Sequence, residues 1–196
     1  MSGCYTDNLD PSHSDECRAY AAWLDEEDRS AAERFDYFLD RACRLGRNYA
    51  PDLAHQFYWA DLLDTPEVCA LVADHAWSAP DFPENHDTPW CELFSSAGFA
   101  RDGVITDPPA EPMTLFRGCT SEGRFGMAWT GTRSVAEKFA SGELLGRPDK
   151  GLVYTAVVEP WRILAHLNGR NEDEFVIDTD GLEPTAVAPL ATSDAA

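Results

Sequence analysis

Asn171-Glu172-Asp173-Glu174-Phe175-Val176-Ile177-Asp178 is the stretch on which the reading of this chain turns. Side chains alternate along a strand, so as a strand this segment carries Glu172 and Glu174 on one face and Phe175 and Ile177 on the other. Carboxylates that close repel each other, a cost that calls for a cationic neighbour or a functional reason. The competing reading is a solvated strand edge with acidic gatekeepers. Spacing alone leaves both open, and the residues upstream decide between them.

Working back from that segment, His166 to Asn171 reads as a turn and Arg162 to Ala165 as a strand. Leu152 to Val158 is apolar on both faces, the pattern of a central strand, and Pro160 closes it. Ser141 to Gly151 is a loop; before it, Ser134 is a candidate cap for a helix through Phe139-Ala140. Met127 to Thr130 is a brief strand, Thr120 to Gly126 a glycine-rich loop, and Met113 to Phe116 a strand ending in Arg117-Gly118. The proline-rich run Asp107 to Pro112 marks a boundary.

In chain order, Phe116-Arg117-Gly118, Ala128-Trp129-Thr130, Ala136 to Ala140 and Glu172-Asp173-Glu174 resemble the mono-ADP-ribosyltransferases of the arginine-serine-glutamate type. In that family an arginine follows the first core strand and a Ser-x-Ser/Thr motif begins the second. A helix ending in Phe-Ala packs behind, and a Glu-x-Glu pair opens a later strand. The resemblance covers roughly residues 113–180. It implies an α+β protein with an ADP-ribosyltransferase-like split β core over 111–182; it is silent about the rest, where patterning gives an N-terminal helical region over 1–110 and a flexible tail over 183–196. It also implies NAD as substrate, no metal, and an arginine-like acceptor, a guanidinium or guanine, on an intracellular macromolecule, protein rather than nucleic acid. NAD glycohydrolysis and a noncatalytic acidic interaction protein with a degenerate core are the alternatives.

The residues fit that chemistry. Breaking the nicotinamide–ribose bond creates positive charge mainly in the transition state, which a carboxylate beside the ribose stabilises. The resemblance gives that place to Glu174 and the acceptor to Glu172, a carboxylate suited to a guanidinium nucleophile. Arg117 offers a planar fork for phosphates, and Gly118 a backbone that a nicotinamide amide can approach. Trp129 and Phe139 are candidate aromatic walls or core residues, and Thr130 keeps the third motif position. His166 and Arg170, in the turn before the acidic segment, are acceptor-binding candidates. Ala128 departs from the motif, standing where the family has the serine that supports the catalytic glutamate. Thr130, Thr132 or Ser134 could substitute, and related transferases of a different motif class manage without that serine.

The first half is helical and acidic. Ser14 caps a helix running through about residue 27, and Ser30 with Glu33 is a capping-box pattern opening a helix that Gly46 closes. Pro51 and Thr65-Pro66 start two more, and Cys91 to Gly98 is a short fifth. Residues 1–98 hold 20 acidic and 6 basic side chains, a net of −14 within the chain's −20. Such a field repels phosphate backbones and favours basic protein partners, with solubility the simpler explanation. His86 among Asp81, Glu84 and Asp87 reads as a solvated loop rather than a metal site. Six cysteines fall singly, without metal-ligand spacing, which fits a reducing cytosol. No leader-like opening or membrane-length apolar run is present, predicting a cytoplasmic protein without a membrane anchor.

Overall fold

The computed structural model describes residues 14–81, 83–142, 151–169 and 171–187. It contains two compact units, one of residues 1–98 and 103–105, the other of 99–102 and 106–196.

The first unit is helical, and its ends are set by local chemistry. The Ser14 side chain accepts the Cys17 N–H at 3.2 Å to open α1 (Asp15–Leu24). Before α2 (Ala31–Leu45), Ser30 accepts from Glu33 N–H at 3.3 Å while the Glu33 carboxylate accepts the Ser30 N–H at 2.9 Å, a complete capping box. Gly46, at φ +100°, ends it by donating to Ala42 O. Pro51 lies in the first turn of α3 (Ala50–Trp59), Thr65 caps α4 (Pro66–Ser78), and α5 (Trp90–Ala97) stops at Gly98. Tyr20 stacks on Phe57 at 4.5 Å, and Trp77 meets Trp90 edge-on at 5.0 Å.

The buried stripe of α2 is Arg34, Phe38 and Ala42. A charge within it is tolerable because its partners are all present: Nε donates to Tyr20 Oη at 3.2 Å, and Nη2 donates to Leu62 O at 2.8 Å and pairs with Asp64 at 2.6 Å. His86, expected in a solvated loop, pairs with Asp52 at 3.2 Å.

His75 lies between Phe35 and Phe38 with ring centroids 6.0 and 6.1 Å away, and burial pushes its pKa below the ordinary 6.5. The unfolded chain therefore takes up a proton on His75 before the folded protein does. The resulting stability is fully present above the unfolded pKa and is lost as pH falls through about 6.5 toward the depressed folded value. Urea midpoints are expected to drop on going from pH about 7 to about 5 and His75→Leu to flatten that drop; an equally steep fall in the variant contradicts the assignment.

The second unit is built on a mixed sheet. Its strands are β1 (Ala100–Arg101), β3 (Met113–Cys119), β4 (Ala128–Thr130), β5 (Leu152–Val158), β6 (Ile163–Leu167), β7 (Glu174–Ile177) and β8 (Thr185–Val187). They run in the order β1-β6-β7-β4-β3-β5-β8, with β1 parallel to β6 and the other neighbours antiparallel. The two-residue strand β2 (Val104–Ile105) belongs to the first unit and contacts α4. One face of the second unit's sheet is packed by Leu115, Trp129, Tyr154, Val158, Phe175 and Ile177. α6 (Arg133–Ala140) lies against β3.

The α+β character expected from the sequence is present, and four local expectations change. β3 continues through Arg117 and Gly118 to Cys119, because its full length is paired with β5. His166 belongs to β6, not to a turn, since it pairs with Phe175. Residues 185–187, placed in a flexible tail, form β8 against Val153 to Thr155. Thr132, not Ser134, is the N-cap residue of α6.

Candidate functional site

The motif residues come together on three neighbouring strands. Phe116 of β3 pairs with Thr130 of β4, Thr130 pairs with Glu174 of β7, and Glu174 pairs with Leu167 of β6. One cross-strand row thus joins segments that lie far apart in the sequence. Directly paired residues share a face. Phe116, Thr130 and Glu174 therefore lie on one face, while Arg117, Trp129, Phe175 and His166 belong to the other.

Glu172 and Glu174 do not share a strand face, because regular strand starts only at Glu174. Asn171 and Asp173 have φ of +56° and +47°, so the chain turns tightly through the acidic segment and then straightens. Hydroxyls hold this turn. Thr130 Oγ1 donates to Glu172 O at 2.7 Å and accepts the Thr132 N–H at 3.1 Å, and Thr132 Oγ1 donates to Asp173 Oδ2 at 3.3 Å. With Ala128 in the motif's serine position, Thr130 and Thr132 tether the Glu172-Asp173 segment through a backbone oxygen and the middle carboxylate.

Arg117 uses its fork on backbone. Nε donates to Gly123 O at 2.7 Å and Nη1 to Ala128 O at 2.5 Å, bracing the loop 120–126 against β4. A lysine ammonium cannot span both carbonyls in that planar geometry. Arg117→Lys is expected to destabilise the second unit by about 1–3 kcal/mol, the cost of stranding bonded acceptors. A urea midpoint equal to wild type counts against the bracing role.

Gly118 sits directly beneath α6, where a Cβ would come within 1.8 Å of Ala136 O and 2.6 Å of Ala140 N. Its missing side chain lets strand and helix backbones meet. Trp129 is 2% exposed and donates its indole N–H to Gly126 O at 2.8 Å, so its ring is core and presents no wall to a ligand. Phe139 is half-buried on α6. The side chain of His166 is 13% exposed, stacks on Phe175 with centroids 4.3 Å apart, and bonds to Asp173 Oδ1 through Nε2 at 2.8 Å. It faces inward and not toward a docked acceptor. Arg170 lies outside the described residues.

Asp173 is the residue that the sequence reading passed over, as the nameless middle of Glu-x-Glu. The available signal was Asn171-x-Asp173, since Asn and Asp are the residues other than glycine that most readily adopt left-handed backbone.

A separate open groove of about 360 Å³ is lined by Thr114, Thr155, Ala156, Val157, Leu182, Glu183 and Thr185, and contains none of the motif residues. Among the described residues, no group of three or more His, Cys, Asp or Glu side chains is placed to hold a metal ion. No helix among them is long and apolar enough to cross a membrane.

No family model matches this chain, and no curated protein or solved structure matches it. Geometry and chemistry carry the functional case.

Proposed function

We propose that the second unit is a mono-ADP-ribosyltransferase that cleaves NAD and transfers ADP-ribose to an arginine-like acceptor. The observation that supports this most is the row Phe116–Thr130–Glu174, in which the strands carrying the arginine, hydroxyl and glutamate motifs are neighbours. In this reading Glu174 lies beside the nicotinamide ribose. Nicotinamide leaves with the electron pair of the broken C–N bond, and Glu174 offsets the charge left on the sugar. The acceptor nitrogen attacks the anomeric carbon from the opposite side and passes its proton to Glu172. Thr130 and Thr132 hold the segment that carries both glutamates. Arg117 enters as a brace of the loop 120–126, and the phosphate contact implied by the resemblance receives no support from its position.

The test is incubation of the full chain with NAD labelled in its adenylate phosphate and an arginine-rich protein. Label on the protein supports transfer. Free nicotinamide with unlabelled protein, in the presence of arginine, makes the chain a glycohydrolase and removes the acceptor role of Glu172.

A noncatalytic reading has specific observations in its favour: Trp129, Gly118 and Arg117 all have structural employment, as core filler, helix contact and loop brace. It predicts that NAD neither turns over nor shifts the melting temperature. A basic protein partner would then be the ligand of the acidic helical unit.

A further inference from the structure

Asp173, the middle residue of the acidic turn, joins three separate pieces of chain. Its Oδ1 accepts from His166 Nε2 of β6 at 2.8 Å, and its Oδ2 accepts from the Thr132 hydroxyl, in the β4–α6 connection, at 3.3 Å. Its carbonyl accepts the Gly131 N–H at 3.2 Å. The fit is close, for a Cβ on Gly131 would come within 2.5 Å of Asp173 Oδ2. The face of the same imidazole stacks on Phe175, the residue that follows Glu174. An acidic turn without such bonds would swing its carboxylates into water. This one is fixed between β6 and β4.

We propose that Asp173 is a positioning residue: through His166 and Thr132 it fixes the turn that carries Glu172 and Glu174, and its carboxylate sets the His166 tautomer. The imidazole proton sits on Nε2, because a neutral ring has one N–H and the carboxylate takes it in a charge-assisted bond. The lone pair then belongs to Nδ1, which is buried and meets no hydrogen-bond partner among the described residues. The effect on the two glutamates rests on the transferase reading; the tautomer does not.

The experiment uses the full chain labelled with ¹⁵N-histidine, at pH about 8, where an ordinary imidazole is neutral. Ring nitrogen shifts are expected to place the proton of His166 on Nε2 in wild type, and Asp173→Ala to release it to a mixture of tautomers. In NAD turnover, Asp173→Ala is expected to lower kcat by about 10²-fold, the scale of a misplaced catalytic group. The KM for NAD should change by less than about 3-fold, since the residue meets no substrate. Asp173→Asn keeps an oxygen acceptor for Nε2 and is expected to hold the proton there and recover part of kcat; Asp173→Gly, which suits the φ of +47° and lacks the acceptor, carries both readouts if the alanine variant fails to fold. A proton on Nδ1 in wild type, or a tautomer indifferent to Asp173, overturns the proposal whatever the turnover. Unchanged kcat in both variants overturns its catalytic half. Wild-type chain without NAD turnover ends that half together with the transferase reading, and the tautomer still decides the rest.

Discussion

Gly118→Ala is expected to destabilise the second unit by at least about 3 kcal/mol, at the upper end of overpacking costs. The new methyl group would meet Ala136 O at 1.8 Å and Ala140 N at 2.6 Å, and both are backbone atoms of α6. No rotamer change relieves that contact, so α6 has to lift off β3. Gly131 gives the contrast: its nearest neighbour is the tip of the Asp173 side chain and not backbone, so relief there costs the Asp173 hydrogen bonds and leaves the packing of α6 on β3 intact. Thermal melting checks this, with a fall of about 10 °C expected for a chain of this size. A melt within a degree or two of wild type would show that α6 and β3 lie farther apart than described.

Glu174→Gln is expected to lower NAD turnover by at least about 10²-fold, the scale of deleting one transition-state electrostatic group. The substitution keeps the size and shape of the side chain, removes its charge and exchanges one acceptor oxygen for an NH2 donor. β7 is anchored between β4 and β6 through backbone pairing, and Phe175, Val176 and Ile177 are buried behind the glutamate. The strand should therefore fold normally, leaving the chemical step to report the loss. Glu172→Gln separates the two carboxylates: it should impair transfer to protein while leaving hydrolysis of NAD closer to wild type. If Glu172→Gln stops nicotinamide release and Glu174→Gln does not, the two roles are reversed.

Much of the fold was legible because strong local signals agreed with tertiary demand. The Ser30–Glu33 capping box and the proline starts of α3 and α4 each formed as read, and the apolar run of β5 formed its strand, though with Leu152 and Val157 exposed. What stayed hidden depended on partners distant in sequence. Thr185-Ala186-Val187 has no pattern of its own and is a strand because β5 offers it an edge. Arg34 reads as a surface charge until Tyr20, Leu62 and Asp64 gather round it. The turn at Asp102-Gly103, with φ of +47° and +73°, went unread because the strands on either side are too short to show periodicity.

At the candidate site, residue types were legible and their geometry was not. The motif order pointed to Arg117, Thr130 and Glu174, and pairing sets their segments side by side. Strict alternation through Glu172 to Glu174 failed because Asp173 is left-handed, a backbone state that no period-two pattern reveals. Trp129 stayed open between ligand wall and core because an aromatic residue in a short strand has the same sequence signature whether it faces a cleft or the core. Only the register with Phe175 assigns it to the core.

The most direct test of the central claim is release of nicotinamide from NAD by the full chain, measured side by side with Glu174→Gln and with an arginine-rich protein present. The account predicts steady release by wild type and a loss of at least about 10²-fold in the variant. Release from neither protein, with NAD causing no shift in melting temperature, would contradict it, as would equal release from both.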